Sequence, residues 1–303
     1  MELPSNLKRL YRHWPLQVCR EEGAPLETVI HQKDLREHIS WFVRERLSIW
    51  EKKTAERAPP YTKDKVLANY RFCNVFREFD RQTIAFHTLL NPLRDDFPCW
   101  LLNMFYCRMV ARPETVEVAG LLSFDEVENV RVYERLMTVP RPRYGTPYVF
   151  PVSVILKSTT PTRELFLTRR LSALMPAVSR LIQEWKGKPV YEGIEEILPL
   201  FGFNLRFLWT EVLIDVAYQF PDRVDLFKRF PVGPGALPTF GKIDSGKDPS
   251  ELAALLGATN FSTRLTYDQK PLCLSAENWE GIGCEYRKYT NLLIGKGRRR
   301  VYK

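Results

Sequence analysis

The sequence predicts a mainly α-helical protein with a small β insertion. Apolar residues make up 45% of its 303 residues and aromatic residues 13%, which is enough for a buried core. Apolar residues recur with helical spacing on both sides of one Pro-rich stretch, residues 140–152, which leads into β-branched and aromatic residues. We therefore expect a single helical domain over residues 1–303. The alternative is two lobes, about 1–140 and 160–303, joined by the Pro-rich stretch.

The predicted elements of the first half follow one another along the chain. Residues 1–57 have a helical pattern, and the Pro59-Pro60 turn follows. A helix is then predicted from residue 61 to residue 90, because four apolar side chains recur within it at i, i+3, i+4 and i+7: Phe72, Val75, Phe76 and Phe79. Residues 100–110 predict a buried helix, and residues 123–126 form a capping box that opens a helix ending near residue 136.

The second half is predicted to begin with the β insertion. Residues 148–156 are predicted to form a short strand or an extended insertion, and the helical pattern resumes at Thr162. Residues 197–203 place a Pro and a Gly in a bend that looks like a helix–hairpin–helix turn, whose backbone amides can hold a DNA phosphate. Ordinary helix-to-helix turns have the same pattern. A long apolar helix over residues 205–217 is predicted next.

Charge, cysteine and histidine content narrow the class of protein. The net charge of +9 favours a polyanionic partner such as nucleic acid, although association with a membrane surface would give the same balance. No run approaches about 18 apolar residues and no signal peptide is visible, so we expect a cytoplasmic protein, in the host cytoplasm if the source is viral, without a membrane partner. The six cysteines lack metal-ligand spacing and are expected to be free thiols, and the four histidines form no HExxH pair, so no metal site is predicted.

The predicted helix over residues 61–90 carries a cluster of phosphate-binding side chains. Off its apolar stripe lie Arg71, Asn74, Arg77 and Arg81, with Asp80 beside them. Guanidinium groups bind phosphate through two parallel hydrogen bonds and keep their charge when partly buried. The alternative is a solvated face with self-paired charges.

Asp215 is the candidate proton acceptor of the second half. It lies in an apolar run within the predicted 205–217 helix. A carboxylate buried there without a partner has a raised pKa and can take up a proton. The alternative is a helix cap or an ion pair with Arg206 or Arg223.

The remaining candidates lie towards the C-terminus. A Gly233-Pro234-Gly235 turn precedes Lys242, and it is either a backbone fit to DNA or a plain turn. Glu285 and Lys288 are spaced i and i+3, so they share a helix face. They form either part of a phosphate-binding site or a surface ion pair. The last segment is a basic tail that includes Arg298 and Arg299, suited to a nucleic-acid backbone or simply solvated.

These segments resemble a family of helical proteins of bacteriophage DNA hypermodification. Its members are the alpha-glutamyl/putrescinyl thymine pyrophosphorylases, also called amino acid:DNA transferases, and the helical domain associated with 5-hydroxymethyluracil DNA kinases is related. The matching runs are Trp41-Phe42-Val43-Arg44-Glu45-Arg46, Pro60-Tyr61-Thr62-Lys63-Asp64, YRFCNVFREFDR over residues 70–81, and Cys284-Glu285-Tyr286-Arg287-Lys288-Tyr289. The chain departs from the family where Tyr61 replaces a Trp, where Lys65-Val66-Leu67 replaces Pro-Ile-Leu, and where Leu200 replaces a hairpin Gly.

The resemblance implies a fold and a reaction. The fold would be of the helix–hairpin–helix DNA-glycosylase type. The reaction would replace the pyrophosphate of 5-pyrophosphoryloxymethyl-deoxyuridine in double-stranded phage DNA by an amine, either an amino acid or a polyamine, on a flipped base. An upstream hydroxymethyluracil DNA kinase would be a pathway partner. No cofactor is required by the sequence, although the pyrophosphate could carry a divalent metal.

The resemblance also implies roles for the candidate residues. Pyrophosphate or DNA phosphate would be bound by Arg71, Asn74, Arg77, Arg81 and Lys288. The incoming ammonium would be deprotonated by one of three carboxylates, Asp215, Asp80 or Glu285. DNA would be contacted by Gly202, Gly233, Gly235, Lys242, Arg298 and Arg299. The chain has no GxxxxGK[ST] loop, so we do not expect it to act as a kinase by itself. A base-excising glycosylase using Asp215 and a non-catalytic DNA-binding module remain alternatives.

Overall fold

The structure is a computed structural model that describes residues 1–145 and 150–297. Regular structure in these residues is mainly helical, as predicted. The helices are α1 Ser5–Leu10, α2 Trp14–Gln17, α3 Lys33–Thr54, α4 Lys65–Asn69, α5 Arg81–Leu90, α6 Phe97–Val110, α7 Pro113–Ala119, α8 Glu126–Thr138, α9 Val152–Ser158, α10 Arg163–Leu165, α11 Leu171–Gln183, α12 Val190–Phe201, α13 Arg206–Gln219, α14 Leu237–Ile243, α15 Pro249–Gly257 and α16 Ala276–Leu293. The strands are β1 Lys188–Pro189, β2 Val224–Asp225, β3 Ser262–Tyr267 and β4 Lys270–Cys273.

The chain divides into two compact units. The first unit combines Met1–Asp80 with Leu226–Lys303, and the second is Arg81–Asp225. The Pro-rich stretch at 140–152, where the sequence suggested a junction, belongs to the second unit. Within the described ranges, no helix is both long enough and apolar enough to span a bilayer.

The first unit is built around α16, whose capping box explains where this helix starts. Ser275 accepts from the Asn278 backbone amide, and the Asn278 side chain accepts from the Ser275 amide. The buried face of the helix packs on α14 and α15, and α16 also contacts α3 and α4. The antiparallel β3–β4 hairpin turns through Asp268 and Gln269, which both have positive φ.

The two ends of the chain meet within this unit. The Leu3 amide donates to the Thr266 carbonyl, so the N-terminal residues extend the hairpin. A disulfide joins Cys19 to Cys273. The prediction that all six cysteines are free thiols is therefore wrong for this pair. The reason is that the two residues are 254 positions apart, and local spacing carries no signal of a bond that the tertiary fold creates.

The second unit is organised around α6, which is buried almost along its whole length and packs on α11 and α13. This confirms the buried helix predicted over residues 100–110. The helix predicted to start at residues 123–126 is also present, but its cap is Asp125, which accepts from the Val127 amide at 2.8 Å.

Two local predictions are wrong. Residues 152–158 form helix α9 and not the end of a strand, and residues 146–149 lie outside the described residues. The β-branched residues there follow Pro151, which suits the position before a first helical turn. The helix predicted over residues 61–90 is interrupted: α4 ends at Asn69, residues 70–76 are extended or irregular, and α5 begins at Arg81.

Candidate functional site

The interruption between α4 and α5 is held open by charged side chains of other helices. Arg46 of α3 donates to the Cys73 carbonyl, and Lys288 of α16 donates to the Arg71 carbonyl. Glu285 of α16 accepts from the Cys73 amide at 3.1 Å. In a helix, the Cys73 amide would donate to the Asn69 carbonyl, and the Arg71 and Cys73 carbonyls would accept from amides four residues later. Their capture by Arg46, Glu285 and Lys288 explains why residues 70–76, hereafter the cationic loop, are not helical.

An aromatic ring organises the cations around this loop. The Arg46 guanidinium lies 5.1 Å from the centre of the Phe72 ring, and the Lys288 ammonium lies 4.5 Å from it. Cations at such distances are attracted by the ring's electron-rich face. The Lys288 ammonium is also 3.4 Å from a Glu285 carboxylate oxygen. Lys288 is therefore oriented by three partners and still about one-third exposed.

The second half of the cationic loop is closed by Asp80. One Asp80 oxygen accepts from the Asn74 side-chain amide at 2.7 Å and from the Asn74 backbone amide at 3.3 Å. Arg77 lies between them in a short 3-10 turn and is half-buried, whereas Arg71 is exposed. The structure thus brings together most of the residues predicted to bind pyrophosphate, with Asp80 and Asn74 shaping the backbone.

The electrostatic balance of this cluster is positive. Arg46, Arg71 and Lys288 are the cationic residues at this loop, and Asp80 and Glu285 are its carboxylates, whereas the terminal guanidinium nitrogens of Arg77 are buried. Such an arrangement suits an anion with more than one charge, because the cationic groups are partly desolvated and already oriented. Arg81, predicted to join this cluster, is the exposed first residue of α5 and belongs to the second unit.

Cys284 lies next to Glu285 on α16 but does not add a nucleophile. Burial, and then the Glu285 and Glu280 carboxylates, raise the pKa of the Cys284 thiol to about 11. A thiol with that pKa is almost entirely protonated at neutral pH, and the thiolate is the reactive form. Burial, and then the Glu285 and Asp80 carboxylates, also raise the pKa of the Cys73 thiol in the loop itself, so neither thiol supplies a thiolate at neutral pH.

Asp215 is buried in the second unit and is fully engaged. Its two oxygens accept from the Arg108 guanidinium, with both donor–acceptor distances at 2.6 Å, and one of them lies 3.0 Å from His87 Nε2. The suggested partners Arg206 and Arg223 are wrong: Arg206 pairs with Glu195, and Arg223 lies over the Phe97 ring.

Sequence reasoning missed Arg108, although a signal was present. Arg108 is a lone charge in the apolar run of α6, and Asp215 is a lone opposite charge in the apolar run of α13. When two buried helices each carry one isolated charge of opposite sign, the two are expected to form an ion pair. The reason is that burying an unpaired charge costs a large amount of free energy.

The glycines predicted to contact DNA make the following contacts within the protein. Gly202 ends α12 with φ +81°, and its amide donates to the Leu198 carbonyl, so this amide does not point at a phosphate. The Gly233 amide donates to Glu280 at 3.1 Å. A Cβ on Gly235 would lie 2.5 Å from the Cys284 sulfur, so this glycine allows close packing on α16.

The other predicted DNA contacts are cationic. Lys242 is exposed in the last turn of α14. Arg298 and Arg299 lie outside the described residues. Across the described ranges, no group of three or more His, Cys, Asp and Glu side chains converges as a metal site.

Comparison with known proteins defines the family. A family model described as "5-hmdU DNA kinase, helical domain" matches residues 33–298, so the chain belongs to this family. The chain is also similar to a 5-hmdU DNA kinase of Bacillus phage SP10, with 32% identity over 128 residues. That match covers 39% of this chain but only 20% of the phage protein, about a fifth of its length. No solved structure matches the chain.

Proposed function

We propose that this protein is a transferase of phage thymine hypermodification. It replaces the pyrophosphate of 5-pyrophosphoryloxymethyl-deoxyuridine in double-stranded DNA by an amine, an amino acid or a polyamine. Membership in the helical-domain family of 5-hmdU DNA kinases supports the pathway. The net charge of +9 supports a DNA substrate. The upstream partner in this proposal is a hydroxymethyluracil DNA kinase.

The observation that carries the proposal is the cationic loop. The partly exposed Lys288 ammonium donates to the backbone carbonyl of the exposed Arg71, where two helices hold the loop backbone. Pyrophosphate leaves with the electron pair of the bond between its oxygen and the C5-methylene carbon, and negative charge grows on the leaving oxygen. Oriented cations that meet this charge supply the electrostatic stabilisation that usually dominates catalysis. A divalent metal on the pyrophosphate would add to the same effect.

The new bond forms between the amine nitrogen and the C5-methylene carbon. An amine at neutral pH is mostly ammonium, so a proton must be removed before or during attack. We assign this proton to Glu285, because one of its oxygens holds the Cys73 amide and Lys288 while the other accepts no described hydrogen bond. Asp80 is the second candidate. Asp215 is the weakest of the three, since Arg108 and His87 already engage both of its oxygens.

The remaining assignments complete the proposal. Arg77 and Asn74 assist pyrophosphate binding, and Lys242, Arg298 and Arg299 contact the DNA backbone. A phosphate-binding role of Arg81 stays a prediction of the family resemblance. A helix–hairpin–helix, glycosylase-like architecture and flipping of the target base stay predictions of the family resemblance. Gly202, Gly233 and Gly235 fit this picture as turn and packing residues, because their surroundings favour those roles. The glycosylase alternative has less support, because it requires Asp215 as its catalytic group.

The test is nucleoside mass spectrometry. DNA carrying pyrophosphorylated 5-hydroxymethyluracil is incubated with the protein and a pool of amino acids and polyamines, and then digested to nucleosides. An amine-substituted thymidine identifies both the transfer and the amine. Abasic sites would point to the glycosylase alternative. Unchanged nucleosides would contradict both enzyme functions and leave a DNA-binding module.

A further inference from the structure

A cavity lies beside the cationic loop along the chain, between the C-terminal half of α3 and the start of α4. Its volume is about 520 Å³, within the roughly 300–1,000 Å³ of small-molecule sites. It is lined by Ile49, Lys53, Pro59, Pro60, Tyr61, Thr62, Leu67 and Ala68. We propose that this cavity receives the target pyrimidine base when it leaves the DNA helix. The inference rests on the proposed function and adds to it the place where the base binds.

The walls have the chemistry that a nucleobase requires. Ile49 and Leu67 are buried and form an apolar floor, and the half-buried Tyr61 offers a ring face for stacking. The Thr62 hydroxyl accepts from the Asp64 amide at 3.1 Å, which leaves its own proton to donate. A pyrimidine dione has carbonyl oxygens on its edge to accept that proton. Extruded bases are held in this way, between apolar faces and a few hydrogen bonds.

The rim of the cavity is basic. The Lys52 ammonium donates to the Tyr61 carbonyl at 2.5 Å, and the Lys53 ammonium lies 5.3 Å from the centre of the Tyr61 ring. Both lysines occupy the last turn of α3. A base enters such a cavity together with its own phosphate and its neighbours' phosphates. The positive rim therefore complements the backbone that must approach with the base.

The position of α4 relates the cavity to the cationic loop. Leu67 and Ala68 line the cavity, and Arg71 follows three residues after Ala68. Because α4 ends at Asn69 and the residues after it are extended, the step from Ala68 to Arg71 spans at most about 10 Å. A methylene, an oxygen and two phosphates extend from C5 of the substrate base. In this proposal the substituent extends from the cavity towards Arg71, whose carbonyl accepts from Lys288.

Asp64 connects the wall of the cavity to helix α16. The Asp64 carboxylate caps α4 by accepting from the Leu67 amide at 2.7 Å. Its other oxygen accepts from the Tyr289 hydroxyl at 2.9 Å. Tyr289 lies on α16 next to Lys288. The wall of the cavity and the helix that carries Glu285 and Lys288 are therefore fixed relative to each other.

Photo-crosslinking with 5-iodouracil tests the inference without depending on catalysis. A duplex with 5-iodouracil in place of the target base is bound to the full chain and irradiated, and the crosslinked residue is located by mass spectrometry. We expect crosslinks on Tyr61 or on another cavity residue. Ala68→Trp fills the cavity from its exposed side and is expected to reduce the crosslink at least about tenfold. Asn69→Trp, on the same helix but outside the cavity, is the matched control and should crosslink like the wild type.

The outcomes separate this inference from the proposed function. A crosslink outside the cavity, or equal crosslinking by Ala68→Trp and Asn69→Trp, would overturn the cavity as the base site. Absence of DNA binding by the wild type would overturn it as well. If mass spectrometry of nucleosides shows amine transfer while the crosslink lies elsewhere, the function stands and the cavity fails. If the crosslink lies in the cavity and no transfer occurs, the base site stands and the transferase reaction fails.

Discussion

At the scale of single residues, the most specific prediction concerns Glu285. In Glu285→Gln the side chain can still accept from the Cys73 amide, but it no longer takes a proton. General-base catalysis is typically worth about 10²–10⁴-fold, so the rate of amine transfer at neutral pH should fall by that order. The rate should then rise with pH, because more of the amine loses its proton in solution. The measurement is the pH–rate profile of amine-substituted thymidine formation.

The matched control for this prediction is Glu280→Gln. Glu280 is also on α16, where it accepts from the Gly233 amide at 3.1 Å. It should keep the wild-type pH profile. Equal profiles for Glu285→Gln and the wild type would assign the proton to another group, with Asp80 the next to test.

The buried pair of Arg108 and Asp215 predicts a stability effect. Asp215→Ala leaves the Arg108 guanidinium, which is almost fully buried, without its charge partner. Loss of one partner of a buried pair typically lowers the free energy of unfolding by about 3–5 kcal/mol. The double substitution Arg108→Met with Asp215→Leu should recover a large part of this loss. Urea unfolding of the wild type, the single variant and the double variant measures these changes in the free energy of unfolding. An inactive Asp215→Ala protein with wild-type stability would instead favour a catalytic Asp215.

At the scale of elements, the cationic loop shows what periodicity can and cannot predict. The i, i+3, i+4, i+7 pattern correctly predicted burial of Phe76 and Phe79, which pack near Trp14. It was wrong about the helix, because the loop backbone is held by Arg46, 27 residues from Cys73, and by Glu285, 212 residues from it. Side chains that arrive from so far along the chain leave no trace in a local pattern.

The turn before α14 predicts a packing effect that a DNA-contacting turn would not show. In Gly235→Ala the new Cβ would lie 2.5 Å from the Cys284 sulfur, closer than atoms can approach. Overpacking of this kind costs about 1–3 kcal/mol. Adding Cys284→Ala removes the sulfur and should restore most of the stability. The measurement is the unfolding midpoint of each variant.

Gly241→Ala is the control for this turn. Gly241 lies within α14, and nothing would come within 4 Å of an added Cβ. A glycine in a helix interior is less favourable than alanine by about 0.5–1 kcal/mol, so this variant should be at least as stable as the wild type. A stable Gly235→Ala protein with weakened DNA binding would contradict the packing role and favour a backbone fit to DNA.

At the scale of the whole molecule, the first unit is made from both ends of the chain. The sequence favoured a single domain, and its alternative of two lobes placed the boundary at the Pro-rich stretch because composition changes there. The first unit contains long-range pairings such as Leu3 with Thr266 and Cys19 with Cys273. Helix type and burial could be predicted from periodicity, whereas these long-range pairings depend on the tertiary fold.

The disulfide predicts a redox-dependent stability. It closes a loop that spans most of the chain, and loss of such a bond typically costs about 2–5 kcal/mol. Reductant should therefore lower the unfolding midpoint of the wild type to that of a Cys19→Ser, Cys273→Ser variant. The variant itself should not respond to reductant, which makes it the internal control. A wild-type midpoint that is insensitive to reductant would show that the two thiols are not joined in solution.

The central claim is that the cationic loop binds the pyrophosphate leaving group, and calorimetric titration with inorganic pyrophosphate tests it most directly. The comparison is between the wild type, Lys288→Ala and Arg287→Ala; the last removes an equal charge from the exposed side of α16. We predict one pyrophosphate per wild-type chain, binding weakened at least about tenfold by Lys288→Ala, which is about 1.4 kcal/mol, and a change within about twofold for Arg287→Ala. Equal weakening by both substitutions, or no binding by the wild type, would contradict the account.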